Sequence, residues 1–256
     1  MPLAEDPQPL LGVRVLVTRP HDGAQTLRDR LAALGAEVLV QPAIRISDPP
    51  DWKPVDAALA RLEQYDWLVF SSVHGVRYLL GRLLQGGRDV GGLARLKLAA
   101  IGPGTADELA RFHLHPDLVP PQYRAEALAE ALRHQAPGRR FLLARASRGR
   151  EVLAAELTKA GAIVEQIVVY SSSDVDRPEP EVAAALAAGK IDWITVTSSA
   201  IARALVALFG EELRRSRLAS ISPLTSGVLR ELGHQPAVEA AEYTMAGLVA
   251  ALVRST

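Results

Sequence analysis

Six short turns hold the side chains best suited to chemistry on an anion. They are Thr18-Arg19-Pro20, Ser71-Ser72, Gly102-Pro103-Gly104-Thr105, Arg145-Ala146-Ser147, Thr197-Ser198-Ser199 and Ser222-Pro223-Leu224-Thr225, and each follows a short apolar run. A small hydroxyl residue at such a place caps a helix, because its oxygen accepts from the N2 or N3 amide. The same hydroxyls, with the unpaired amides of a helix start, also donate to an anion. Ordinary capping accounts for any one of them. Six in two matched sets, joined by Arg19 and Arg145, suit a ligand bearing several carboxylates or phosphates. Tyr170 offers a different chemistry, at the end of an apolar run and just before Ser171-Ser172-Ser173. A phenol there either packs as a core aromatic with a polar tip or faces a cleft, where it would hydrogen-bond or protonate a leaving oxygen.

Other chemistries find little support. The 256 residues include no cysteine, which excludes disulfides, thiolate metal sites and a cysteine nucleophile. His21, His74, His113, His115, His134 and His234 lack the spacing and acidic companions of a metal site, so structural roles and no metal are expected. Gly102-Pro103-Gly104-Thr105 lacks the GxGxxG spacing of a dinucleotide fold, and no GxxxxGK[ST] phosphate loop is present. The 29 basic residues balance 29 acidic ones without a long basic run, so nucleic-acid binding is not expected. The longest apolar runs are strand length, far short of the roughly 20 residues that span a bilayer. The opening MPLAEDPQPLLG has acids and prolines where a secretory signal has basic and then apolar residues, and reads as a short frayed lead-in. A soluble, cytoplasmic protein is the expectation.

The elements that must position these turns come twice. Residues from Ala99 align with those from Ala219 without a gap, sharing Ile101/Ile221, Pro103/Pro223, Thr105/Thr225, Leu109/Leu229, Pro116/Pro236, Tyr123/Tyr243 and Leu128/Leu248. Residues from Val13 align with those from Arg139, sharing Leu16/Leu142, Arg19/Arg145, Gly23/Gly149, Leu27/Leu153, Leu31/Leu157 and Gly35/Gly161. DWLVFSSVHGV from Asp66 matches DWITVTSSAIA from Asp192. In each copy a Val-, Leu- and Ile-rich run ends in a polar turn and leads into apolar positions three and four apart, which is strand followed by helix. Strands alternating with helices predict parallel sheets covered on both faces. AEVLVQPAIRI and AIVEQIVVYSSS break the alternation as long extended stretches, suited to crossing between domains and pairing there. Such a crossing would seat the first strand-helix unit with the second copy's later elements and make one domain discontinuous.

Taken together, VLVTRP, FSSVHGV, AIGPGTADEL, RASRGREVLAAELTKAGAIVEQIVVY, TVTSSAIARAL and SPLTSGVLRELG, in this order and at this spacing, resemble the uroporphyrinogen-III synthase family over nearly everything after Leu11. At SPLT the chain has Ser222 and Leu224 where relatives often have glycine and threonine. The resemblance implies an α/β protein of two related parallel-sheet domains joined by a two-stranded β ladder. One domain would comprise residues 11–37 and 174–256, the other 46–165, with 38–45 and 166–173 as the linker strands. It also implies closure of the linear tetrapyrrole hydroxymethylbilane, which has eight carboxylates, to uroporphyrinogen III with ring D inverted and water lost. No cofactor is implied, and a monomer is expected. Tyr170 matches the family tyrosine proposed to help the hydroxyl depart, and the strand-end turns would grip carboxylates. The residues by themselves leave a second reading open, a non-catalytic two-domain module for a small anionic ligand. A nucleotide enzyme is a third reading.

Overall fold

The structure, a computed structural model, describes residues 8–256. The chain runs β1 (Arg14–Val17), α1 (His21–Ala33), β2 (Glu37–Val40), β3 (Ile44–Ser47), α2 (Lys53–Leu59), β4 (Trp67–Phe70), α3 (Val73–Gln85), β5 (Lys97–Ala100), α4 (Pro103–Ala110) and α5 (Ala125–Leu132). It continues through β6 (Arg140–Ala146), α6 (Val152–Lys159), β7 (Ile163–Asp174), α7 (Pro180–Ala187), β8 (Trp193–Val196), α8 (Ser199–Phe209), β9 (Arg217–Ser220), α9 (Pro223–Glu231), β10 (Val238–Glu239) and α10 (Met245–Arg254). Two compact units result, one containing the chain up to Arg45 with Ser173–Thr256, the other Ile46–Ser172.

Each unit has one five-stranded sheet, in the order β10-β9-β8-β1-β2 or β3-β7-β6-β4-β5. The registers of the described ladders are parallel. The pairings correspond from one sheet to the other: Arg14 opposite Glu37 matches Arg140 opposite Ile163, Val15 opposite Trp193 matches Phe141 opposite Trp67, and Trp193 opposite Arg217 matches Trp67 opposite Lys97. A cation covers each of these tryptophans, Lys97 at 5.5 Å from the Trp67 ring and Arg217 at 4.2 Å from that of Trp193. β1 pairs with β8, far along the chain, and β6 pairs with β4.

In the Ile46–Ser172 unit the central strands sort their side chains by alternation. Leu68, Phe70, Leu142 and Ala144 face a core with Val76, Leu79 and Leu83 of α3, whereas Trp67, Val69, Phe141 and Leu143 face Leu128, Leu132 and Leu157 of α5 and α6. Every residue of β4 is buried, as a sheet covered on both faces requires. In the other unit Val15, Val17, Trp193 and Ala219 pack with Leu27, Leu31, Leu248 and Leu252. Gly35 (φ +91°) and Gly161 (φ +89°) follow α1 and α6 in left-handed backbone that glycine enters without strain.

Two expectations need correction. The stretch read as one linker strand over 38–45 is two short strands: β2 stays with β1, and only β3, after Gln41-Pro42-Ala43, lies beside β7. Pro42 has no N–H for a ladder, and the buried Gln41 spends its amide on the Pro42 carbonyl and the Glu179 N–H. Of the lead-in, residues 1–7 lie outside the described residues, but its end is not frayed. Leu10 is fully buried and its N–H bonds the Leu34 carbonyl at 2.9 Å.

At the amino end of β7, Glu165 accepts from Tyr65 Oη at 2.6 Å and from both Arg61 nitrogens at 3.0 and 2.7 Å. Burial and then the bond to Glu165 push the Tyr65 phenol up from 10.0 to about 12. A folded value above the unfolded one gives stability that is complete below the unfolded value and is lost as pH rises through the folded one. Tyr65→Phe should therefore abolish a phenol that ionises well above the ordinary range in an ultraviolet titration and flatten the alkaline stability loss, measured by urea unfolding at pH 10 and above.

Candidate active site

Parallel sheets present ligands with the carboxyl ends of their strands, where helix starts leave amides unpaired. In the Ile46–Ser172 unit those ends are gathered around Tyr170. Ladder pairing between β6 and β7 is regular to Arg145 opposite Val168, then shifts so that Ala146 faces Tyr170. Such a bulge inserts a residue and re-aims the side chain after it. Ile167, Val169 and Tyr170 thus all join the α3-side core, although simple alternation would send Tyr170 to the other face. The matched β1–β2 ladder has no shift.

Tyr170 is 7% exposed, and its Oη lies 3.1 Å from Ser72 Oγ. Ser72 caps α3, its Oγ accepting from Gly75 N–H at 2.9 Å. A Cβ at Gly75 would come within 3.2 Å of both Ser72 Oγ and the Ala144 carbonyl, so the helix start approaches β6 closely only because that residue is glycine. Burial pushes the Tyr170 phenol above its ordinary value, and the Ser72 bond opposes the rise. The phenol therefore stays protonated across the neutral range. Two α3 rings flank it, His74 at 5.5 Å and Tyr78 at 5.7 Å, with Trp52 stacked on Tyr78 at 6.5 Å. His74 had no expected part here. Its spacing of four from Tyr78 on one helix was the available signal.

The neighbouring turns show which side chains face solvent. Ser71 and Ser147 are exposed. Ser147 N–H donates to the Tyr170 carbonyl at 2.9 Å, and its Oγ accepts from Ser172 N–H at 3.1 Å. Gly102 is the buried N-cap of α4, and Thr105 is buried one turn later. Arg145 has several partners within the unit. Glu151 at 2.5 Å, Gln166 at 3.0 Å and the Ala146 carbonyl occupy its guanidinium, which holds the Glu151 carboxyl below its usual range. The half-buried Arg148 donates from Nε to Ser172 Oγ at 3.2 Å, two residues past Tyr170 on β7. Sequence reading passed over it because two other arginines share its turn and only Arg145 has a repeat partner in Arg19.

In the other unit Thr18 is a correction: it is fully buried, and its Oγ1 donates to the Thr195 carbonyl at 2.5 Å, tying β1 to β8. Arg19 is half-buried, with Nη1 on Met245 Sδ at 3.3 Å and its guanidinium packed over Gly23, where a Cβ would come within 3.0 Å. Ser198 caps α8 through Ile201 N–H at 3.2 Å, in the same extended backbone as Ser72. Ser199 is half-buried, and the Thr197 Oγ1 is enclosed without a hydrogen bond. Ser222 caps α9, with its Oγ 3.2 Å from that of the buried Thr225. Among the described residues no cluster of three or more His, Asp or Glu side chains could hold a metal ion, and no helix is long and apolar enough to cross a membrane.

A family model described as uroporphyrinogen-III synthase HemD matches residues 25–250. The chain belongs to the uroporphyrinogen-III synthase family. It is 32% identical to the uroporphyrinogen-III synthase of Synechococcus elongatus, over 96% of each chain. To that of Escherichia coli it is 29% identical, over 86% of this chain and 92% of the relative. Among solved structures, a mutant uroporphyrinogen III synthase from Thermus thermophilus superposes with a TM-score of 0.66 at 21% identity, covering 95% of this chain and 98% of that one. The Helicobacter pylori uroporphyrinogen-III synthetase does so with 0.64 at 17% identity, covering 95% and 100%. These two likenesses agree on the α/β fold with two sheets of parallel strands.

Ser72 serves this family member twice, as helix cap and as phenol partner. Ser72→Ala should cost about 0.5 to 2 kcal/mol of stability through the lost cap. It should also drive the Tyr170 phenol further up, because the bond that lowers it is gone; denaturant unfolding and ultraviolet titration read the two effects separately.

Proposed function

We propose that this protein is a uroporphyrinogen-III synthase, a hydro-lyase that closes hydroxymethylbilane to uroporphyrinogen III with ring D inverted. The observation that carries this reading is the buried, protonated Tyr170 hydrogen-bonded to Ser72 at the strand ends, in a chain of this family. Ser72 Oγ already accepts from Gly75 N–H, which favours its own O–H as donor to the phenol oxygen. Tyr170 O–H is then free to donate to the departing hydroxyl, which leaves as water. The azafulvene cation that remains is attacked by the substituted carbon of ring D, and the spiro intermediate opens and recloses. The proton released when the pyrroles regain aromaticity restores the phenol. Acid and cation balance, and no redox partner enters.

Positioning is the larger task, since closure without inversion needs no help. Holding a reacting pair in geometry is worth up to roughly 7 to 11 kcal/mol. Ser71, Ser147 and Arg148 in one unit, and Arg19, Thr197, Ser198, Ser199 and Ser222 in the other, are the groups we assign to the substrate carboxylates. Backbone amides at Gly102 and at the starts of α3 and α8 add to them. Thr18, Thr105 and Thr225 support the turns from beneath.

The same reading takes the two units as an internal duplication whose βαβ portions have been exchanged within one chain, supported by the matching registers at constant offsets. It takes β3 beside β7 as the joining ladder. With freshly made hydroxymethylbilane the purified protein should yield the type III isomer without added metal or nucleotide. Type I product at the spontaneous rate would refute the assignment and leave an anion-binding module. Tyr170→Phe should lower turnover by about 10²- to 10⁴-fold, the usual worth of a positioned acid, with little change in thermal stability.

A further inference from the structure

Tyr123 and Tyr243 occupy matched positions, and nothing above uses them. Each is the centre of a three-residue turn: Arg124 N–H donates to the Gln122 carbonyl at 2.9 Å, and Thr244 N–H to that of Glu242 at 2.7 Å. Each stands just before the residue that starts the last helix in its half of the repeat. There Leu128 N–H bonds Arg124 O at 3.1 Å, and Leu248 N–H bonds Thr244 O at 3.0 Å. The two residues are 40% and 41% exposed. A ring kept for packing would gain by leaving water, and these two stay half in it. Single exposed apolar residues are ordinary on a surface. The same residue type, in the same tight turn, at the same exposure, in both units, is not explained by that.

Their surroundings point to a flat ligand. A Cβ at Gly102 would lie 3.0 Å from both Cβ and Cγ of Tyr123, so the phenol is seated directly against the turn that opens α4. Ser222 takes the matched place in the other unit, where its side chain caps α9, so Tyr243 retains the turn and the exposure with a different neighbour. We propose that Tyr123 and Tyr243 are substrate-binding shelves, each stacking one pyrrole ring of the linear tetrapyrrole beside a strand-end turn that holds that ring's carboxylate arms. This rests on the synthase reading above. An aromatic face suits a planar, electron-rich ring in offset stacking, and a rigid phenol loses little side-chain freedom on binding.

The test measures KM, kcat and the isomer ratio with hydroxymethylbilane for the whole protein and for Tyr123→Ala, Tyr123→Leu, Tyr123→Phe and Tyr243→Ala, beside thermal unfolding of each. Loss of one stacked ring should raise KM about three- to tenfold. In Tyr123→Ala, Tyr123→Leu and Tyr243→Ala kcat should change less than KM, and the share of type I product should rise. Tyr123→Phe, which keeps the face and loses only the hydroxyl, should retain the parent KM. Tyr123→Leu keeps apolar bulk and serves where the alanine variant unfolds. A parent-like KM in the folded leucine or alanine variants overturns the shelf, as does a phenylalanine variant as weak as alanine. If the parent protein forms only type I product, the synthase reading itself fails, and the shelf falls with it.

Discussion

A parallel sheet covered by helices on both faces has only one place for polar chemistry, the carboxyl ends of its strands. Both units obey that constraint. Their central strands β4 and β8 are buried throughout, and hydroxyl residues appear as soon as these strands stop. Helix starts at those ends supply donors without needing charged side chains, which agrees with a chain whose basic and acidic residues balance. The pair of serines Ser72 and Ser198 shows the economy of the arrangement: in each, one oxygen fixes a helix start at the carboxyl end of a strand.

The two sheets correspond in register and differ where the chemistry is placed. Here the departure is a single inserted residue in β7. Without the shift after Val168, alternation would turn Tyr170 away from α3, and its hydroxyl would not meet Ser72. The ring then completes a core of leucines and phenylalanine, so the burial that stabilises the unit also keeps the phenol protonated. Stability and acidity come from the same contacts. On the symmetric side, Trp67 and Trp193 under their cations, Gly35 and Gly161 after their helices, and Tyr123 and Tyr243 in their tight turns mark what both copies retain.

Charge partners sorted the arginines in a way that residue type alone does not reveal. Arg145 and Arg19 hold matched places in the sequence, yet Arg145 is consumed by Glu151 and Gln166, whereas Arg19 lies over Gly23 with one nitrogen on a methionine sulfur. Arg148, the residue after the turn Arg145-Ala146-Ser147, ends beside Ser172 on the strand that bears Tyr170. Thr18 makes the same point for hydroxyls, since its place at a strand end looked like that of Ser71 and it nonetheless points into the sheet.

On its own, the sequence determined that the chain is α/β, with two matched series of polar turns at strand ends and a lone tyrosine in a long extended segment. Those features are written locally, because burial on two faces demands an unbroken apolar run and a helix demands a period near 3.6. The pairing of β1 with β8 and of β6 with β4, the break at Gln41-Pro42-Ala43, the bulge before Tyr170 and the partners of Arg145 and Thr18 were decided only in the tertiary structure. Each depends on which residue from a distant part of the chain arrives beside another, and pairing of that kind leaves no periodic trace along the sequence.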